Sequence, residues 1–299
     1  MRQLSLADRG QTISLDKSPD DATPICLSVA RLGSLQTAGS CFTVWIQVRG
    51  SAWVEAKEGR FRMRRGEWIA FEKESRPLVQ AGRSGLCIGL ALNADAMRML
   101  MELADCGLYA GRGLMKQAEL RVALRLWRDA LDSGLPAQAL RPMLLHLASL
   151  QRTMAGTVQR CPGRSRSRKR QVFGRMQRAR LYLEGNSHRV VRIGELAELT
   201  NFSSWYLSKT FQSLYEESPQ ALSARLRLER AADLLRDTDM MIGEVASASG
   251  FDNCCSFARA FRARFGTSAS HYRESVAKLS PHSAKSLAAS RKPRIATQS

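Results

Sequence analysis

The sequence has few of the residues that build metal and redox centres. Its 299 residues include four histidines and seven cysteines, and no two of the cysteines form a Cys-x-x-Cys pair. Scattered cysteines in odd number give neither a disulfide framework nor a zinc site. We therefore expect reduced thiols, no bound metal and no cofactor.

Long apolar runs are also missing. No segment approaches the ~20 consecutive apolar residues that cross a bilayer, and the N-terminal residues lack the apolar core of a signal peptide. We therefore expect a cytoplasmic protein without a membrane partner.

Acidic charge is scarce. The chain has 27 Asp and Glu against 46 Lys and Arg, a formal net charge of +19. From residue 164 onward there are 24 basic and 12 acidic residues, so the excess is largest in the C-terminal part. A positive field attracts polyanions, which makes nucleic acid the first partner to consider and an anionic membrane surface the second.

Two patterns of hydrophobicity divide the chain. Residues 25–92 alternate with period two and are punctuated by Gly50, Gly59 and Gly66, which predicts short strands joined by tight turns. Beyond residue 94 the period becomes helical. The predicted fold class is α+β. The predicted domains are a β-barrel with helices at 20–155, a basic linker at 156–171, an all-α domain at 172–275 and a disordered basic tail at 279–299.

The all-α part contains an internal repeat. Five residues recur after 49 positions: Ile193, Gly194, Glu195, Ala197 and Phe202 become Ile242, Gly243, Glu244, Ala246 and Phe251. After one inserted residue, Leu207, Lys209 and Phe211 match Phe257, Arg259 and Phe261.

Each copy has the pattern of a helix-turn-helix, at 194–215 and 242–265. Asn201 and Gly250 suit a turn with positive φ, and Ser203 and Asp252 suit the cap of the second helix. A connecting helix at about 219–236 would span ~27 Å. This is on the order of one DNA turn, ~34 Å, so the two copies could occupy successive major-groove segments.

Residues 172–275 resemble the DNA-binding domain of the AraC/XylS family of bacterial transcription regulators. The resemblance rests on the stretches SPQALSARLRLERAADLL and IGEVASASGFDNCCSFARAFRARFGTSASHYR. Ala269, Ala221 and the Cys254–Cys255 pair depart from the family pattern; only the cysteines bear on base recognition.

The resemblance implies that the second helix of each copy enters the groove of double-stranded DNA. The implied DNA-binding residues are Trp205, Ser208 and Lys209 in the first copy and Cys254, Cys255, Ser256 and Arg259 in the second.

Each implied contact has a physical basis and a simpler alternative. Arg259 could fork onto a guanine edge, Lys209 could donate to guanine or phosphate, and Trp205 could contact a thymine methyl or a sugar. The alternatives are phosphate contacts alone for the two cations and partial burial in the core for Trp205. Neighbouring helical residues point about 100° apart, so Cys254 and Cys255 cannot converge on one metal; a redox role is the alternative to DNA contact.

The N-terminal part resembles, more loosely, the cupin-like sensing domain of the same family. It lacks the His-x-His and spaced Glu of cupin enzymes, so we expect no enzyme. Trp45, Trp53 and Trp68 would either line a ligand cavity or fill the core. The stripe Leu120–Leu131 would either form a dimer face or pack on the sheet.

The predicted function is sequence-specific regulation of transcription. The resemblance implies activation through contact with RNA polymerase, and it allows a homodimer and a small-molecule effector that the sequence does not identify. The alternatives are a repressor of the same family, a cupin-type enzyme with an auxiliary nucleic-acid domain, and a non-specific architectural protein.

Overall fold

The computed structural model describes residues 4–15, 25–37, 39, 41–104, 107–132 and 137–279. The described residues divide into two compact units. Unit 1 holds those up to Asn186 together with Val191–Pro219, and unit 2 holds Ser187–Val190 with those from Gln220 onward. The predicted tail, apart from Leu279, lies outside the described residues.

The strands of unit 1 form two sheets. The first sheet has six strands in the order β1-β3-β10-β5-β8-β11: β1 is Leu4–Ala7, β3 is Ile25–Ala30, β5 is Phe42–Arg49, β8 is Glu67–Phe71, β10 is Leu86–Leu92 and β11 is Gly111–Leu114. The second sheet has five in the order β2-β4-β9-β6-β7: β2 is Thr12–Ser14, β4 is Ser34–Gln36, β6 is Ser51–Ala56, β7 is Gly59–Arg64 and β9 is Leu78–Ala81.

The helices follow the strands along the chain. In unit 1 they are α1 (Ala94–Ala104), α2 (Gln117–Asp132), α3 (Ala137–Leu150), α4 (Arg152–Arg160), α5 (Arg166–Gly185), α6 (Ile193–Thr200) and α7 (Ser204–Tyr215). Then come α8 (Pro219–Asp237), α9 (Ile242–Ala248), α10 (Cys254–Phe265) and α11 (Ala269–Leu279). The predicted linker at 156–171 holds the end of α4 and the start of α5, joined through residues 161–165.

The first sheet is covered on both faces. On one face Val44 and Ile46 pack against α1–α3, and on the other Trp45 packs against the second sheet. Residues of β5 are therefore buried on both faces of the sheet. The strand does not show the alternation of apolar and polar residues that is expected where one face of a sheet is exposed to solvent.

The α+β class is confirmed, and the strands form two sheets rather than a closed barrel. Gly50 and Gly66 have positive φ and lead the chain from the first sheet to the second and back again. Because each sheet keeps two edge strands, the predicted cupin-like barrel does not close.

The apolar side chains of this unit fill its core. Leu120 is buried, and Leu124, Trp127 and Leu131 pack against the same cluster, so the stripe covers the first sheet. Trp45 and Trp68 are buried, whereas Trp53 is exposed. The described helices include none with the length and apolarity needed to cross a membrane.

Candidate nucleic-acid interface

The first helix-turn-helix comprises α6 and α7. Asn201 ends α6 in the left-handed conformation, with φ of 52°, as predicted. Ser203 begins α7, and its Oγ accepts a hydrogen bond from the Tyr206 backbone N–H at 3.2 Å. Leu207 and Phe211 are fully buried. These inward contacts leave the opposite face of α7, hereafter the first reading helix, in solvent.

The second helix-turn-helix comprises α9 and α10 and has the same design. Gly250 in its turn has φ of 74°, as predicted. The predicted cap Asp252 is wrong: Asn253 caps α10, and its Oδ1 accepts a hydrogen bond from Ser256 N–H at 2.7 Å. The inserted residue lengthens the turn, so the counterpart of Ser203 lies 50 positions later, at Asn253. We call α10 the second reading helix.

Two of the predicted residues form a pair on the first reading helix. Trp205 keeps 69% of its surface exposed, so it is not part of the core. The Lys209 Nζ lies 4.9 Å from the centroid of the Trp205 ring. Ser208 differs, since its Oγ donates to the Ser204 carbonyl at 2.8 Å. The pair presents a cation on an aromatic surface, which suits a phosphate or a guanine edge.

On the second reading helix, Cys254, Cys255 and Arg259 are exposed. Ser256 supports the start of the helix, because its Oγ donates to the Asn253 carbonyl at 3.0 Å. Arg259 lies in the second turn of the helix. Each reading helix thus exposes a cation at the position matched by the repeat, Lys209 in α7 and Arg259 in α10, and DNA contact by these residues remains a prediction.

The exposed cysteines differ from the buried ones. All six described cysteines are free, and burial raises the pKa of the Cys26 thiol to about 12. Cys254 and Cys255 instead lie at the exposed N-terminus of α10. Within the described ranges, no group of three or more His, Cys, Asp or Glu side chains could hold a metal ion.

Sequence reasoning missed three arginines that hold the second helix-turn-helix by its backbone. Arg227 donates to the Gly250 carbonyl at 2.8 Å and covers the Phe251 ring. Arg230 donates to the Ala248 carbonyl at 3.1 Å, and Arg273 donates to the Met240 carbonyl.

These hydrogen bonds satisfy carbonyls on both sides of α9. The Ala248 and Gly250 carbonyls lie at the C-terminal end of α9, which is the negative end of its dipole, where a cation is favoured. Burial lowers the pKa of both Arg227 and Arg230.

A longer repeat would have revealed two of these arginines, Arg227 and Arg230. Arg175, Arg178, Ala179 and Leu183 of α5 recur 52 residues later in α8 as Arg227, Arg230, Ala231 and Leu235. The Arg175 guanidinium lies 5.1 Å from the Phe202 ring, as that of Arg227 covers Phe251. The repeating unit is therefore three helices, α5–α7 and α8–α10.

Residues 196–275 match the family described as a helix-turn-helix domain. The chain is 38% identical over 84 residues to the HTH-type transcriptional regulator GbdR of Pseudomonas aeruginosa, covering 28% of this chain and 23% of GbdR. It is 34% identical over 121 residues to the HTH-type transcriptional regulator CdhR of the same species, covering 36% of each. The chain thus spans about a quarter to a third of the length of these curated relatives.

Solved structures give a similar result. A probable AraC family transcriptional regulator from Rhodopseudomonas palustris is 34% identical and aligns with 34% of this chain and 96% of its own length, with a TM-score of 0.33. The C-terminal domain of AraT, a response regulator from Geobacillus stearothermophilus, is 31% identical and aligns with 34% of this chain and 84% of its own, again with a TM-score of 0.33.

Proposed function

We propose that this chain, which belongs to the AraC family through the helix-turn-helix domain at residues 196–275, is a sequence-specific DNA-binding regulator of transcription. The observation that carries the proposal is the duplicated helix-turn-helix with an outward cation at the matched positions Lys209 and Arg259. One such motif in a basic chain would suit general polyanion binding. Two such motifs suit the recognition of two DNA segments, because each reading helix can contact its own segment of the major groove.

The side chains of the two reading helices have different roles in the proposed binding of DNA. Arg259 can donate two parallel hydrogen bonds to O6 and N7 of guanine, which gives base specificity. Lys209 beside Trp205 suits a phosphate or a guanine with an adjacent apolar contact. Cys254 and Cys255 are small enough at the tip of α10 to allow close approach to the base edges. Ser208 and Ser256 bond to their own helices, so we assign them a supporting role.

The experiment is footprinting of the full chain on sites selected from the host genome. Two adjacent major-groove segments should be protected per monomer. Arg259→Ala should weaken specific binding by about 1–3 kcal/mol and relax discrimination at one base position. A variant that loses only a phosphate contact would weaken all sequences equally and lower the salt dependence by about one counterion.

The matched control is Arg264→Ala. Arg264 lies on the same helix and carries the same charge, but it pairs with Glu229 at 3.3 Å. Its loss should leave base discrimination unchanged. Equal affinity of the wild type for random and selected DNA would contradict the proposal and favour an architectural protein instead.

Membership of the family also guides the remaining assignments. We propose a non-enzymatic protein that acts on chromosomal DNA in the bacterial cytoplasm and activates transcription by contacting RNA polymerase. A reporter driven by a selected site tests the sign: expression should rise when the chain is supplied, and a fall would make the protein a repressor.

A further inference from the structure

Helix α5 is shared between the sheets and the first helix-turn-helix. Leu181 of this helix belongs to the apolar core between the two sheets. The end of the helix also meets the turn between β6 and β7 backbone to backbone. A Cβ built on Gly59 would lie 2.5 Å from the Gly185 carbonyl carbon. Contact this close requires glycine on both sides.

A buried ion pair lies at this junction. Glu58 is fully buried, and its Oε1 accepts hydrogen bonds from Arg178 Nε at 2.7 Å and from Ser75 Oγ at 2.8 Å. The Glu58 carbonyl accepts a further bond from Asn186 Nδ2 at 3.0 Å. Its second carboxylate oxygen is buried without a hydrogen-bond partner. Arg178 therefore supplies the charge that allows this carboxylate to be buried.

The first helix-turn-helix is hydrogen-bonded to the same helix. Tyr182 donates its hydroxyl to Glu195 of α6 at 3.1 Å. Tyr215, at the end of the first reading helix, donates its hydroxyl to Gln177 of α5 at 2.9 Å. Each hydrogen bond fixes one helix of the motif to α5, so a displacement of α5 would move the motif with it.

The internal repeat distinguishes Arg178 from its counterpart. Arg230 occupies the matching position in α8, and it bonds to the Ala248 carbonyl within its own three-helix repeat. Arg178 instead leaves its repeat and bonds to Glu58 in the sheet part of unit 1. The second repeat thus holds itself together, whereas the first is also held by the sheets.

From this difference we propose that Glu58 and Arg178 are positioning residues for the first reading helix, through which the N-terminal sheets set how α7, and not α10, engages DNA. The inference rests on the proposed function, since it assumes two protected DNA segments. In this proposal the N-terminal part of the chain regulates the half of the DNA-binding site that α7 forms.

The test is hydroxyl-radical footprinting of the full chain on a selected site. Lys209→Ala and Arg259→Ala first assign each protected segment to one reading helix. Arg178→Met should then reduce affinity about tenfold or more, with protection lost in the α7 segment and kept in the α10 segment. Glu58→Gln, which keeps the shape of the side chain, should change protection in the same direction.

Arg230→Met is the matched control at the repeated position. It should weaken the α10 segment and leave the α7 segment protected. Wild-type protection of both segments by Arg178→Met and Glu58→Gln would overturn the proposal, as would an equal loss in both segments. If wild type itself protects no discrete site, the proposed function fails instead.

A double variant, Glu58→Met with Arg178→Met, separates positioning from folding. Removing both partners leaves no uncompensated buried charge, so this chain should fold even if a single variant melts early in circular dichroism. We expect it to fold and still to leave the α7 segment poorly protected, because the contact between α5 and the sheets is missing as it is in Arg178→Met. A folded double variant that protects the α7 segment as well as wild type does would overturn the proposal, since only the unpaired charge, and not the contact, would then matter.

Discussion

The substitution Gly185→Ala tests the contact between α5 and the sheets with a single methyl group. A Cβ at this position would overlap the Glu58 carbonyl oxygen and lie 2.6 Å from the Cζ of Phe61. The carbonyl belongs to the backbone of a tight turn, and Phe61 is fully buried between the sheets. Neither group can rotate away, so α5 or the turn must shift.

Overpacking of this kind costs about 1–3 kcal/mol. For a unit of this size the cost corresponds to about 2–4 °C in melting temperature per kcal/mol, so the unfolding midpoint should fall by roughly 2–12 °C.

Gly174→Ala is the control in the same helix. A Cβ there would lie 3.8 Å from the nearest atom, in the Tyr109 ring, which is ordinary contact. Alanine is the better helix former, so this variant should gain up to about 1 kcal/mol. Calorimetry of both variants beside wild type measures the difference. If Gly185→Ala melts at or above the wild-type temperature, α5 does not lie in van der Waals contact with the β6–β7 turn at Gly185.

Three other predictions have defined outcomes. A bulky maleimide should label Cys254 and Cys255 and abolish DNA binding, and bound specific DNA should slow the labelling. The double serine variant should keep its DNA affinity; a redox role instead requires that peroxide change DNA binding by the wild type and that the serine variant lose this response together with its function. Asn253→Ala should destabilise the domain by about 0.5–2 kcal/mol by removing the cap, and Asp252→Ala should not; equal melting temperatures would contradict the cap. Burial, with the Glu74 charge beside it, raises the pKa of Glu72 from 4.5 to about 7. The folded state then binds more protons than the unfolded one, so stability should fall from pH 4.5 to 7, and Glu72→Gln should flatten that fall in urea titrations.

The parts of the fold that rest on local signals could be predicted from the sequence. Positive φ at Asn201 and Gly250 follows from the residue types that tolerate it. The buried positions Phe211 and Phe261 follow from helical spacing within each copy. The cap at Asn253 was missed because both Asp252 and Asn253 suit an N-cap, and only the length of the turn decides between them.

Contacts between distant segments could not be predicted in this way. Glu58 and Arg178 are 120 residues apart, and nothing in either local pattern marks a buried pair, since glutamate and arginine are common on surfaces. The pair becomes evident when the two repeats are compared, because Arg178 and Arg230 occupy matching positions while their hydrogen-bond partners differ. Where two copies of a motif share a residue but not its partner, the difference marks the point at which one copy is tied to the rest of the chain. In this protein that point is α5, so we expect the position of the first reading helix, and not that of the second, to depend on the sheets.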